Sequence, residues 1–342
     1  MATSSSLTLS SATFSKLSPH PYLLANLQAS DSSSPSARTN GRLPQQARQP
    51  YINTSSLSHA HGSAVVRTGD TTVICGVRGE TLLTSAVPNY RAPDDSSGAT
   101  LNEARDYDLL VPNIELATGC APNFLPGVPP TTLAQTLSTR VYSLLHSSKL
   151  LNVSGLRIYQ KDGSELSGRQ RGNEAMEEDD EGDSTITERA VKAYWVLYID
   201  VLFISFDGNP FDAAWAAILA ALQDTKLPQA YWDPDREMVL CSPKKRLPLT
   251  LSGFPVATTA AVFTAKEKPK KGGGQYWILV DPDRLEEGLC DETVTIVVDC
   301  PKEGTKVLGI SNHGGTVVGP VLMKELAKAA ESRWNDFRKA VS

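Results

Sequence analysis

The stretch from Lys192 to Leu222 limits the possible folds more than any other part of the chain. Lys192 to Phe206 is a run of β-branched, aromatic and aliphatic residues that predicts a long central strand. Asp200 and Ser205 interrupt it, so it falls short of the roughly 18 consecutive apolar residues a membrane span needs. The run passes directly into Asp207-Gly208-Asn209-Pro210, a turn sequence, and then into Phe211 to Leu222. Asn209 suits a helix N-cap, Pro210 the first helical position and Asp212 the positive end of the helix dipole. Ala213 to Leu219 is apolar throughout, so that helix must be buried on most of its sides.

The flanking segments extend this pattern. Ser63 to Arg67 and Thr71 to Arg78 are β-branched runs joined by the turn Thr68-Gly69-Asp70, which predicts a hairpin. Asp108 to Leu116 is extended, and Gly119 to Pro130 holds four prolines and two glycines, which excludes a helix interior or central strand. Leu133, Leu137, Val141, Leu144 and Leu145 follow at helical spacing. Basic and proline-rich Pro243 to Pro248 reads as a lobe boundary. Beyond it come strands at Val256 to Phe263, Gln275 to Val280, Thr293 to Val298 and Lys306 to Ile310, and a helix at Pro320 to Ala340. Strands followed by a packed helix, twice over, predict a two-lobed α+β (mixed α/β) chain. We expect a tail over 1–37 with a short helix after Pro21, a first domain over 38–242 and a second over 249–342. Within the first, 160–188 is an acidic insertion expected to be disordered; Lys266 to Gly274 is expected to be a loop.

Charge separates the insertion from the body. The chain carries a formal net charge of −5, yet Gln160 to Glu188 alone holds ten acids and three bases, so the rest is slightly positive. Such a body can bind RNA through local basic patches. Five scattered cysteines without a CxxC, and five histidines without a third ligand at metal spacing, call for neither a disulfide framework nor a metal or cofactor, and they fit a reducing compartment. No signal peptide or transit peptide is recognisable.

Four ordered segments together resemble the RNase PH family. The first is Gly62 to Val77, with the Gly41-Arg42 and Arg48 lead-in upstream. The others are Tyr198-Ile199-Asp200-Val201 with Asp207-Gly208-Asn209 and Asp212, and Leu279-Val280-Asp281-Pro282 with Glu286-Glu287. Phe14 to Leu27, Val111 to Leu116 and Phe124-Leu125-Pro126-Gly127 are similar to the non-catalytic ring subunits of the RNA exosome. The resemblance implies an RNase PH fold (like the second domain of ribosomal protein S5) and membership of a hetero-hexameric ring of RNase PH-fold subunits. It also implies S1/KH cap subunits, a hydrolytic exonuclease subunit and RNA as partners, no membrane, and a place in the nucleus, nucleolus and cytoplasm. The alternative is an active phosphate-dependent 3′-to-5′ exoribonuclease.

Phosphorolysis needs an anion cradle, a carboxylate near the leaving oxygen and a grip on the RNA 3′ end. The helix at Thr131 to Ser148 has one arginine, Arg140, where active relatives are rich in them. Leu251 to Ala257 occupies the position of the phosphate loop, and its Phe254 and Pro255 are unsuited to one. Asp281, Glu286 and Glu287 stand at the acidic spacing but read as turn and helix-start residues, so no catalytic residue is expected. Asp207 reads as a turn residue, and the sequence does not decide whether Asp200 lies on a polar face or in the core. For RNA, Tyr90 and Arg91 resemble the family loop that lines the pore, offering a stacking face and a phosphate contact. Lys244, Lys245 and Arg246 form a second basic cluster.

Overall fold

The computed structural model describes residues 10–28, 36–92, 103–127, 129, 131–160, 190–265, 276–290, 292–301, 304–314 and 319–341. The expected acidic insertion lies outside them except for Gln160, and the expected loop at 266–274 lies wholly outside them.

Two short helices, α1 (Ser11–Leu17) and α2 (Pro19–Leu27), open the chain. The expected helix therefore begins before Pro21, which the first turn tolerates because its N–H would lack an intrahelical partner anyway. The first sheet contains β1 (Pro50–Thr54), β2 (Gly62–Thr68), β3 (Thr71–Leu83), β4 (Leu110–Leu116), β5 (Arg157–Tyr159) and β6 (Val191–Ser205). Its order is β1-β2-β3-β6-β4, with β5 pairing a different stretch of β6. All pairings are antiparallel except β4 on β6. The predicted hairpin turn holds: Gly69 has φ +60°, and a Cβ there would collide with the Arg48 side chain passing over it. Helix α3 (Glu103–Asp106) precedes β4, and α4 (Thr132–Ser147) packs against it.

Helix α5 (Pro210–Asp224) is buried along almost its whole length because it lies between β2 and β3 on one side and the second sheet on the other. Next come β7 (Lys226–Asp233) and β8 (Met238–Pro248), which pair with each other. This corrects the expectation that Pro243 to Pro248 is only boundary punctuation. Prolines are tolerated there because a two-stranded sheet leaves an unpaired edge on each strand.

The second sheet has the order β10-β9-β11-β12, with β9 (Val256–Thr264), β10 (Tyr276–Val280), β11 (Glu292–Asp299) and β12 (Lys306–His313). Helix α6 (Arg284–Leu289) leaves β10, and α7 (Pro320–Val341) packs on β9 and β11. Leu23 and Leu27 of α2 are buried against Phe263 and Leu279. Alternation explains why β9 is buried on both faces: one set of its side chains meets the helices, and Phe263 of the other set meets α2. No described helix is long and apolar enough to cross a membrane.

Candidate functional site

The carboxylates at the family's acidic spacing converge on a buried seam between the lobes. Asp281, directly after β10, is 2% exposed and has a left-handed φ of 53°. Its Oδ2 accepts from Arg48 Nε at 2.9 Å and from the Arg48 backbone N–H at 2.9 Å. Its Oδ1 accepts from Arg48 Nη2 at 2.8 Å and Asn209 Nδ2 at 2.8 Å. Burial opposes the charge, but Arg48, Arg333 and Asn209 outweigh it and hold the carboxyl well below the usual carboxylate range. With four donors in place, the acceptor capacity of the carboxylate is filled.

Asp281 does stand in the bend before Pro282, as expected, and is buried in an ion pair besides; Asn209 departs from the expected side-chain cap. Asn209 does occupy the N-cap position, but with φ 48° and no capping hydrogen bond. Its amide instead bridges Asp281 and Asp212. Asp212, buried in α5, accepts from the backbone N–H and the hydroxyl of Thr259 on β9, each at 2.7 Å. Burial raises its pKa. The two backbones touch where Gly208 meets Pro282 to Arg284: φ is +76°, and any Cβ would collide with the Asp283 main chain.

The remaining acids belong to the same seam. Glu286 completes a capping box with Asp283, as a helix-start residue should, and is also fully buried against Arg38 at 3.2 Å. Burial pushes the Arg38 guanidinium down to about 10, against the pull of Glu286. Glu287 Oε1 accepts from Asn209 N–H at 2.7 Å, and burial pushes its carboxyl up to about 7. Asp207 remains partly exposed in the turn, 3.5 Å from Arg48 Nη1. Asp200 is exposed on the sheet face and accepts from Asn113 at 3.2 Å. Among the described residues, no group of three or more His, Cys, Asp or Glu side chains is placed to hold a metal.

The segment where an anion cradle would stand is committed to packing. Trp215 Nε1 donates to the Pro255 carbonyl and Trp334 Nε1 to the Phe254 carbonyl, each at 2.8 Å. Ser252 N–H donates to Leu150 O at 2.7 Å. The Asp299 carboxylate fills the space beside Gly253, placing a negative charge where an anion would need positive potential. Arg140 is equally engaged. Its guanidinium lies 4.1 Å from the centroid of the Phe211 ring and donates to Thr295 Oγ1 at 3.0 Å and Ser311 Oγ at 3.3 Å.

The model of the 3′ exoribonuclease family, domain 1, matches residues 46–228. The exosome complex component rrp43 of Schizosaccharomyces pombe is 32% identical over 321 residues, covering 94% of each chain. The chain belongs to the RNase PH family. The exosome complex component Rrp42 of Archaeoglobus fulgidus is 26% identical over 305 residues, covering 89% of this chain and 88% of that one. The RNase PH fold is shared with a chain of an Archaeoglobus fulgidus exosome solved with RNA bound to the active site: TM-score 0.63, 23% identity, 94% of this chain and 97% of that one. An archaeal exosome core gives TM-score 0.57 at 21% identity, over 93% and 96% of the two chains.

Within this RNase PH chain, the residues expected to meet RNA fall in two places. Arg91 is exposed just beyond β3, whereas Tyr90 is half-buried with its ring 5.9 Å from Tyr107 and 6.3 Å from Tyr194. Part of the Tyr90 ring therefore serves a tyrosine cluster rather than an open stacking face. Lys244, Lys245 and Arg246 are exposed on β8. Sequence reasoning missed the structural weight of Arg48 and Arg38. Arg48 stood in the family lead-in, but nothing in the sequence around either arginine showed which carboxylate it would meet.

Proposed function

We propose that this chain is a non-catalytic structural subunit of an RNA exosome ring, supporting 3′-to-5′ RNA processing and turnover by assembly and by guiding RNA rather than by cutting it. The observation that carries this reading is the filled segment Ser252 to Val256, with carbonyls facing two indoles and Asp299 beside Gly253. Asp281, saturated by Arg48 and Asn209, has no lone pair left to take a proton or orient a phosphate. Val307, Leu308 and Ile310 are exposed at 51%, 38% and 57% on the edge strand β12. An apolar edge of this kind suits a permanent neighbour. The partners are other RNase PH-fold subunits of a hetero-hexameric ring, S1/KH cap subunits, a hydrolytic nuclease subunit and RNA. The location is the nucleus, nucleolus and cytoplasm.

Two experiments test the reading. Expressed alone, the chain should aggregate and become soluble on co-expression with ring partners; a stable isolated monomer counts against it. Any nucleoside diphosphate that the assembled ring releases from oligo(A) with inorganic phosphate and Mg²⁺ should form at a rate indifferent to Asp281→Asn. Release that disappears in an intact Asp281→Asn ring overturns the non-catalytic assignment in favour of an active phosphorolytic enzyme.

A further inference from the structure

The main chain at Arg91 is held by a side chain sixteen positions further along the sequence. Tyr107 Oη accepts from the Arg91 backbone N–H at 3.2 Å and donates to the Arg91 carbonyl at 3.1 Å. One phenol thus fixes both peptide groups of a single residue, across sixteen positions of sequence. The phenol is itself held: Tyr107 is 9% exposed, its ring 5.5 Å from that of fully buried Tyr194 on β6. One turn upstream, Glu103 of α3 is 4% exposed and accepts from Arg157 Nε on β5 at 3.1 Å. Strands β5 and β6 therefore anchor Tyr107, and Tyr107 anchors Arg91. The Tyr107 ring belongs to the main core beside Tyr194, whereas its hydroxyl serves the Arg91 main chain.

We propose that Tyr107 is a positioning residue for RNA contact: it holds the Arg91 main chain so that the exposed guanidinium is presented to a single-stranded RNA phosphate in a fixed place. This rests on the reading of Arg91 as an RNA-contacting residue. The physical gain is preorganisation. A long side chain on a fixed main chain gives up less freedom on binding than one on a mobile loop, and a bidentate arginine–phosphate contact tolerates little displacement.

The test uses the co-expressed ring and a labelled oligo(A) strand of about 30 nucleotides, long enough to cross several phosphate contacts. Affinity is measured over a range of salt for wild type, Arg91→Ala, Tyr107→Phe and the double variant. Arg91→Ala should weaken binding and lower the salt slope by about one phosphate contact. Tyr107→Phe, which keeps the ring and removes only the hydroxyl, should weaken binding by roughly three- to fivefold. It should add nothing in the Arg91→Ala background. Unchanged affinity for Tyr107→Phe, or a loss that adds to that of Arg91→Ala, overturns the clamp while leaving Arg91 as a contact. An Arg91→Ala ring with wild-type affinity overturns both. Should Tyr107→Phe fail to enter the ring, amide exchange in the wild-type ring decides: the Arg91 N–H should be protected, and rapid exchange there sinks the proposal.

Discussion

Replacing Asp281 with alanine gives the sharpest test of the seam. The side chain is 2% exposed and receives four donors, three from Arg48 and one from Asn209. Alanine leaves the Arg48 guanidinium with only the Asp207 and Pro282 oxygens, and removes the strongest of the countercharges around Arg333, which is 3% exposed, leaving Asp212 and Asp336. Breaking a buried pair by removing one partner costs about 4 kcal/mol, mostly the desolvated charge left behind. For a chain of this size that lowers Tm by on the order of 10 °C. The pH dependence has a definite sign. A carboxyl held below its ordinary range contributes stability that is fully present above the unfolded-state pKa and is lost as pH falls through the folded one. The gap between wild type and Asp281→Ala should therefore be constant from neutral pH down to about pH 5 and close only in strong acid. Thermal melting of the co-expressed ring, followed over that pH range, measures both. A loss below about 2 °C, or a gap that closes near neutrality, would refute the idea that this ion pair joins the lobes.

Three further outcomes are expected. Gly208→Ala should cost about 3 kcal/mol, because it adds positive-φ strain to a backbone collision with Asp283, and should appear as reduced ring yield and a lower melting temperature. Glu287→Gln keeps the acceptor for Asn209 N–H but cannot ionise. Since burial raises the Glu287 pKa to about 7, wild type should lose stability relative to this variant as pH rises from the ordinary glutamate range to about 7 and no further, which melting at several pH values will show. Ile310→Asp, at an exposed edge position, should leave the fold intact yet sharply reduce recovery of the chain in the co-purified ring.

Much of the architecture was legible because periodicity reports burial. The long strand expected at Lys192 to Phe206 is β6, and the wholly apolar helix after it is α5, buried between two sheets as its composition required. The β7–β8 hairpin escaped because its prolines and surface charges mimic a linker, and an isolated two-stranded sheet carries no alternating core face. The filled anion segment was legible from Phe254 and Pro255 alone, although the indole donors that fill it come from α5 and α7 and have no local signature. The seam was legible only as residue types: that Arg48 reaches Asp281 across 233 positions is a product of topology, which spacing does not encode. Tyr107 gave no sequence signal at all, since a lone tyrosine beside an acidic turn is ordinary.

The docking of α2 imposes an order on biosynthesis. Leu23 and Leu27 leave the ribosome early, but Phe263 and Leu279 emerge only once most of the polypeptide has been made. His20, stacked 4.6 Å from the Phe263 ring and bonded to the Thr264 carbonyl at 3.2 Å, waits just as long. Until then the opening helices have nothing to settle on, and the outer face of β9 stays bare until they arrive. Contacts of such long sequence separation form slowly. A nascent chain of this kind should therefore depend on protection until its last third is complete, and clipping the first 28 residues would strip Leu23, Leu27 and His20 from Phe263, leaving only Trp277 and the neighbours from its own sheet and α6 against it.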